Sequence, residues 1–376
     1  MENNLTDLST KNVQEKVISK ETNKLHKIIF YSLISVIFVV VFGYVVLTLK
    51  SKTSLLNPQI TQTKKITKDI KASVTPIPFA EFTIPYLRNK KYISKLGELN
   101  QVSVGSYYKS FITNYTSDRL RVNGLLTVPI EEMPQEGFPA IVFVHGYIPP
   151  AIYSTTSEAY FAYVDYLASS GFVVFKIDLR GHGDSEGEAG GGYYGSDYVS
   201  DILHAYNALE NLEYVNPKKI GLWGHSMSGN AVLRSMAARP EIPVGVIWAG
   251  AVYTYVDMQK YGISDSSYQP PVSNIQRQNR RRELFEKHGS PSAQSVFWKQ
   301  VAPVNYLTDF KGKVSLHHAI DDAVVNIGYS RDLSELLENA SVPHELYEYS
   351  TGGHNISGSS FTLAMQRTVE FFKKHL

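Results

Sequence analysis

Apolar and polar positions divide the chain into stretches with different rhythms. Ile28–Leu49 is apolar throughout, 22 residues without one charge. As a helix rising 1.5 Å per residue it spans about 33 Å, enough for the hydrocarbon core of a bilayer. A cleaved leader would show an apolar run of about 7–15 residues and a small-x-small site. This segment is longer and continues into VVLTLKSKTSLL with no such site. The expectation is an uncleaved transmembrane anchor over 28–49, behind a short tail over 1–27. Residues 50–80 are rich in Ser, Thr, Lys, Gln and Pro without a period, the composition of a flexible tether.

From about residue 100 the pattern becomes regular. Val102–Phe111 and Arg119–Val128 alternate around a polar break at Asn114–Asp118, which predicts an antiparallel hairpin. Ala140–Val144, Val173–Ile177, Ile220–Trp223 and Val244–Trp248 are short, apolar and β-branched, as central strands covered on both faces are. Ser157–Ser169, Ser196–Leu212 and Met227–Ala238 carry a helical period. In the second of these Val199, Ile202, Leu203, Tyr206, Leu209 and Leu212 recur every three or four residues. Asn216-Pro217 is expected to stop the chain before the next strand. A strand at Val314–His318, a helix at Ile327–Glu338, a strand at His344–Tyr349 and a closing helix at Leu363–His375 follow. The alternation predicts an α/β domain over 81–376, a mostly parallel sheet with helices on both faces. Residues 252–312 break the rhythm with Pro-Pro and an Arg cluster. Inserted after a parallel strand, they are expected to rise from the carboxyl edge of the sheet as a cap over a ligand site.

Composition narrows the function. Cysteine is absent from the 376 residues, which removes disulfide scaffolds, thiolate catalysis and cysteine-bearing metal sites. At 43% hydrophobic and 19% charged residues the chain has ample core, so wholesale disorder is excluded. The net charge of +2 is uneven, because 50–71 carries six Lys against Asp69 and the part beyond is mildly acidic. Nucleic acid is not the expected partner of such a domain. Lysines flank 28–49 on both sides with a slight excess before it, so the folded part is expected on the extracytoplasmic side of the cell membrane.

The chemistry concentrates in Lys219–Ala231, KIGLWGHSMSGNA. A strand runs into Gly224-His225-Ser226-Met227-Ser228-Gly229 and then into a helix, so Ser226 is expected at a sharp turn with its hydroxyl at the sheet edge. The helix N-terminus beneath it offers unpaired N–H groups where negative charge can develop.

The stretch resembles the G-x-S-x-G elbow of the α/β-hydrolase superfamily, with Ser228 at the fifth position and Gly229 one residue later. His145-Gly146-Tyr147 after AIVFV is similar to the oxyanion loop of that superfamily, and Asp178–Ser185 to its D-x-R-G-x-G-x-S segment. His317–Val324 resembles the H-G-x-x-D-x-x-V segment that supplies the acid, with His318 at the glycine, and Gly353-His354 follows the last strand. The order Ser, Asp, His is that of the superfamily.

A closer resemblance is to the catalytic domain of the prolyl oligopeptidase family of serine peptidases, through Tyr115–Pro129 and Ala302–Leu307. Residues 50–110 leave no room for that family's β-propeller.

These resemblances imply a nucleophile Ser226, a base His354 and an acid Asp321, chosen over Asp322 by the spacings from His317 and to Val324. They imply an oxyanion hole from the N–H groups of Tyr147 and Met227, and no cofactor or metal. The implied activity is serine hydrolysis of a carboxylic ester or a short peptide or acyl-amide bond by a membrane-anchored enzyme. The alternative is a catalytically inactive hydrolase-fold binding module tethered to the bilayer.

Other features have plainer explanations. His225 is expected to pack beside the nucleophile, and Arg180, His182 and Asp184 to hold a glycine-rich loop. His317 and His318 are adjacent in a strand and so face opposite ways, which argues against a shared metal ion. Arg277 and Arg280–Arg282 fit either a solvated helix face or attraction of an acidic substrate. Among the many tyrosines in expected loops, Tyr194 and Tyr253, together with Arg280, are the candidate substrate contacts.

Overall fold

The structure, a computed structural model, describes residues 77–266 and 275–376. The expected tail, the anchor over 28–49 and nearly all of the tether lie outside the described residues. Among the described residues no helix is long and apolar enough to cross a membrane.

The described residues form one nine-stranded sheet: β1 (Asn100–Val104), β2 (Tyr108–Ser117), β3 (Leu120–Pro129), β4 (Phe138–Val144), β5 (Val173–Ile177), β6 (Val215–His225), β7 (Val244–Trp248), β8 (Lys313–Ala319) and β9 (His344–Tyr349). Its order is β1-β2-β3-β5-β4-β6-β7-β8-β9. β1, β2, β3 and β5 pair antiparallel, and every pair from β5 to β9 is parallel. The helices are α1 (Ile84–Asn89), α2 (Phe161–Ala168), α3 (Asp197–Glu210), α4 (Met227–Ala238), α5 (Asp257–Tyr261), α6 (Ile275–His288), α7 (Val296–Val301), α8 (Gly328–Asn339) and α9 (Ser359–His375).

Strand alternation sorts side chains into two cores. Ala140, Val142 and Val144 of β4 join Ile202 of α3, Val232 of α4 and Leu333 of α8 on one face. Ile141 and Phe143 join Leu167 of α2 and Phe372 of α9 on the other. Both faces are covered, so the central strands are apolar without a break and the parallel arrangement is stable. The expected α/β fold, mostly parallel with helices on both faces, is the one observed.

Several boundaries differ from the sequence reading. The expected break at Asn114–Asp118 lies mostly inside β2, which pairs with β3 to its end at Ser117↔Leu120. The turn is Asp118-Arg119, both at positive φ (50° and 72°), the two-residue geometry that matches strand twist. The run Val102–Phe111 is split into β1 and the start of β2. Asn216-Pro217, expected to precede its strand, is taken into β6 at a register irregularity against β4.

The insertion between β7 and β8 is helical where described, comprising α5, α6, α7 and a 3-10 turn over Pro303–Asp309. The domain also starts earlier than residue 81. Pro78 accepts a hydrogen bond from His288 Nε2 at 2.9 Å, and Phe79 packs edge-on against Phe82 and His288. Ile84 and Leu87 of α1 are buried, Arg234 Nη2 donates to the Phe82 carbonyl, and Arg88 Nε donates to that of Ala237. Glu81 pairs with Arg280. Residues 78–89 therefore join α4 to the insertion.

Candidate active site

Neighbouring parallel strands deliver the chemistry to one edge. β4 and β6 pair up to Val144↔Gly224, so His145-Gly146-Tyr147 and Ser226 leave the sheet side by side. Strand order reverses at this point, where α/β sheets form a crevice at their carboxyl edge. β8 and β9 lie two and three places beyond β6 and supply the segments carrying Asp321-Asp322 and His354.

Ser226 sits at φ 55°, ψ −121°, a conformation that costs a non-glycine residue roughly 1–3 kcal/mol and persists only when its surroundings enforce it. Its N–H donates to the Trp248 carbonyl at 2.9 Å, and its carbonyl accepts from Gly229 N–H at 2.9 Å. Small neighbours make room for the turn. A Cβ at Gly224 would meet Val232 Cγ2 at 2.7 Å, and one at Gly229 would meet the Gly250 Cα at 2.8 Å. Ser228, at the position where the motif has glycine, is fully buried and its hydroxyl donates to the His145 carbonyl. The close approach falls on Gly229 instead, so the one-residue slip leaves the turn intact.

His354 faces Ser226. Its Nε2 lies 2.9 Å from Ser226 Oγ, and its Nδ1 lies 2.8 Å from a carboxylate. That carboxylate belongs to Asp322 and not to the expected Asp321. Asp321 is exposed and accepts backbone hydrogen bonds from Gly352 (3.3 Å) and Gly353 (2.8 Å), which supports the loop carrying His354. The wrong choice has a simple source. His317-His318, Asp321-Asp322 and Val324-Val325 are all doublets, so the same spacing fits one residue later, and only the trajectory of the chain after β8 separates the two registers.

Asp322 is fully satisfied. Oδ1 accepts from the N–H groups of Val324 (2.8 Å) and Val325 (2.9 Å). Oδ2 faces both His354 Nδ1 and His318 Nε2, the latter at 3.1 Å. Burial alone raises its pKa, but hydrogen bonds from His318 and His354, with the charge of His354 and the Val325 N–H, hold the carboxyl well below the usual range. With Nδ1 against an anion, the neutral His354 carries its proton there, leaving Nε2 to accept from Ser226.

A second network joins the oxyanion loop to the histidine loop. Gly146 N–H donates to Tyr160 Oη at 2.8 Å, Tyr160 bonds His225 Nδ1 at 2.7 Å, and His225 Nε2 bonds the His354 carbonyl at 2.9 Å. Since a carbonyl can only accept, Nε2 carries the His225 proton and Nδ1 accepts from Tyr160. Burial, followed by the charge of His354, lowers the pKa of His225 to about 3. His225 thus stays neutral as a packing group. A Cβ at Gly146 would meet Tyr160 Oη at 2.8 Å and Ser226 Cβ at 3.2 Å, so glycine lets the Tyr147 backbone pass beside the nucleophile. Met227 opens α4 directly after Ser226.

The candidate substrate contacts fare differently. Tyr253 is buried at 1% exposure, its hydroxyl against Gly229 and Gly250, so it packs beneath the turn instead of lining an opening. Arg280 turns away to Glu81 and the Phe79 and Phe82 rings, where it fastens the N-terminal segment. Tyr194 is half-buried, and its loop touches the site because a Cβ at Gly192 would lie 3.1 Å from Met227 Sδ. Exposed Arg281 sits over the Tyr194 ring at 4.4 Å. Sequence reasoning singled out Arg280 from the run Arg280–Arg282 because a run of arginines on a helix does not say which one faces the domain. Arg180 is ringed by Asp201 (2.6 Å), Asp118 (3.1 Å) and Asp197 (3.4 Å), in keeping with the expected loop-holding role. His317 and His318 do face opposite sides, toward Tyr349 and Ser330 respectively.

Residues 136–274 match the family model described as serine aminopeptidase, S33. An uncharacterised peptidase of Bacillus subtilis (strain 168), YtmA, is 27% identical over 253 residues, covering 67% of this chain and 88% of that protein. The acetyl xylan esterase from Paenibacillus sp. R4 superposes with a TM-score of 0.58 at 17% identity, over 78% of this chain and 92% of that one. The Pyrococcus horikoshii acylaminoacyl peptidase superposes with a TM-score of 0.56 at 20% identity, over 72% of this chain and 42% of that one. At these identities the two superpositions are likenesses of fold.

Proposed function

We propose that the chain is a serine hydrolase of the α/β-hydrolase type and that it cleaves a carboxylic ester or a short peptide or acyl-amide bond through Ser226, His354 and Asp322. The observation that carries this reading is the continuous line from Ser226 Oγ to His354 Nε2 (2.9 Å) and from His354 Nδ1 to Asp322 Oδ2 (2.8 Å), on a strained turn at the sheet edge. A serine hydroxyl is a weak nucleophile at neutral pH and needs such a base.

In the proposed mechanism Ser226 Oγ attacks the acyl carbon while His354 Nε2 takes its proton. Asp322 stays ionised, keeps the His354 proton on Nδ1 in the resting state and stabilises the imidazolium. Negative charge on the acyl oxygen is met by the N–H groups of Tyr147 and Met227, the second at the N-terminus of α4. His354 then protonates the leaving alcohol or amine, and water, activated by the same imidazole, releases the acid and regenerates Ser226. Every group needed is a side chain or a backbone N–H.

The membrane reading is part of the proposal. The charge-free run Ile28–Leu49 supports an anchor, with the hydrolase domain on the extracytoplasmic side. Protease protection of the C-terminal domain in intact cells would contradict that orientation.

The functional test is kcat/KM of the full chain on short acyl esters and on aminoacyl or dipeptidyl amides, with Ser226→Ala as control. Turnover lost in the variant is expected, and preference for one bond type assigns the substrate class. If neither class is turned over and Ser226 does not react with a serine-directed phosphonate, the chain is instead an inactive hydrolase-fold binding module.

A further inference from the structure

We propose that His318 is a positioning residue for the reaction, a second histidine that holds the Asp322 carboxylate by donating to the same oxygen that meets His354. The inference deepens the Ser226–His354–Asp322 reading and rests on it.

His318 is fully buried at the end of β8, and in the register that makes Asp322 the acid it stands at the histidine of the H-G-x-x-D-x-x-V pattern, with Ala319 at the glycine. Its Nδ1 lies 2.7 Å from Ser330 Oγ on α8. Its Nε2 lies 2.9 Å from the Val325 carbonyl and 3.1 Å from Asp322 Oδ2. Nε2 therefore faces two acceptors and must carry a proton, whereas the Ser330 hydroxyl can donate to Nδ1. The tautomer is set by the surroundings. Asp322 Oδ2 then receives two N–H donors, from His318 and His354, while Oδ1 receives the N–H groups of Val324 and Val325. A carboxylate offers about four lone-pair positions, and all are occupied.

Two consequences follow. The carboxylate cannot rotate without breaking several bonds at once, so Nδ1 of His354 meets a fixed acceptor throughout the cycle. The His318 donor also draws charge from Oδ2, which weakens its hold on the imidazolium and sets the basicity of His354. The remaining ionisable groups around His318 are His225 at the end of β6, His354 on the loop after β9 and Glu348 of β9, itself paired with Arg331 of α8 at 2.7 Å. Of these only His354 also donates to Asp322 Oδ2.

The test is the pH profile of kcat/KM on an activated acyl ester, measured in the full chain for His318→Leu, His318→Gln and Ser330→Ala. Leucine removes the donor with little change in volume. The side-chain amide nitrogen of glutamine can occupy the place of Nε2. We expect His318→Leu to lose about tenfold or more in kcat and its acid limb to move to higher pH, because Asp322 without this donor stabilises the imidazolium more strongly. His318→Gln should recover most of the rate and the original limb. Ser330→Ala, which leaves the ring in place and frees its tautomer, should show a smaller upward displacement, and it decides the matter if His318→Leu does not fold. An unmoved acid limb in His318→Leu, or equal losses in the Leu and Gln variants tracking a lowered Tm, would overturn the proposal and leave His318 as packing. Asp322→Asn separates the two levels. Full activity in that variant defeats the Ser226–His354–Asp322 reading itself, whereas an inactive Asp322→Asn beside an unaltered His318→Leu defeats only the role of His318.

Discussion

At the scale of single residues, the site turns on which aspartate meets His354. Asp322 accepts four hydrogen bonds with no exposed side-chain surface, whereas Asp321 is exposed and bonded to two loop N–H groups. Asp322→Asn is expected to lower kcat by about 10⁴-fold, as loss of the orienting acid does in a Ser-His-Asp system. Asp321→Asn should cost less than about tenfold, since an amide oxygen can still accept from Gly353. Parallel assays of the two variants check this, and equal losses would contradict the assignment. Buried histidines supply a second prediction. His145, His225 and His317 are each lowered to about 3, burial being the main cause. In the unfolded chain they titrate near 6.5. Between about pH 6.5 and 3 the unfolded state binds protons that the native state does not, so stability is full above this window and falls as pH drops through it. Each histidine can contribute a slope of up to about 1.4 kcal/mol per pH unit. Urea midpoints at pH 7.5 and 5.5 should differ accordingly, and a midpoint independent of pH would refute the claim.

At the scale of elements, the strand–turn–helix unit around Ser226 depends on close backbone approach. Gly229→Ala would place a methyl 2.8 Å from the Gly250 Cα, where backbone cannot yield easily. A loss of about 1–3 kcal/mol, with a fall in kcat from the displaced turn, is expected from thermal melts and assays. Ser228→Ala removes only the hydroxyl bonded to the His145 carbonyl and should cost about 1 kcal/mol. A milder Gly229→Ala than Ser228→Ala would show that the turn is held otherwise. Apolar period and β-branched content made this unit readable in sequence, as they did β4, β5 and β7, whose residues are local determinants of strand and helix. Element ends were harder to read. The turn at Asp118-Arg119 and the inclusion of Asn216-Pro217 in β6 are decided by pairing with β3 and β4, which local propensity does not report.

At the scale of the whole molecule, the N-terminal segment fastens the insertion to α4. It buries Ile84 and Leu87, bonds Arg234 and pairs with Arg280. A chain beginning at Ile77 should keep the activity and Tm of the full chain in detergent. One beginning at Lys90 loses two buried apolar side chains, each worth about 1.5–3 kcal/mol, and should melt lower with reduced kcat/KM. Equal melting of the two would show the segment to be dispensable. By itself the sequence determined the α/β class, the strand and helix order, and the turn that carries Ser226, because hydrophobic period and the small residues of a tight turn are local quantities, whereas His354 came from the family resemblance. Only the tertiary structure decided between Asp321 and Asp322, directed Arg280 to Glu81 and Tyr253 to the core, and set His318 against the acid. Those outcomes depend on where β8, β9 and the insertion bring distant residues together, and doubled residues or an arginine run hold no trace of that in one dimension.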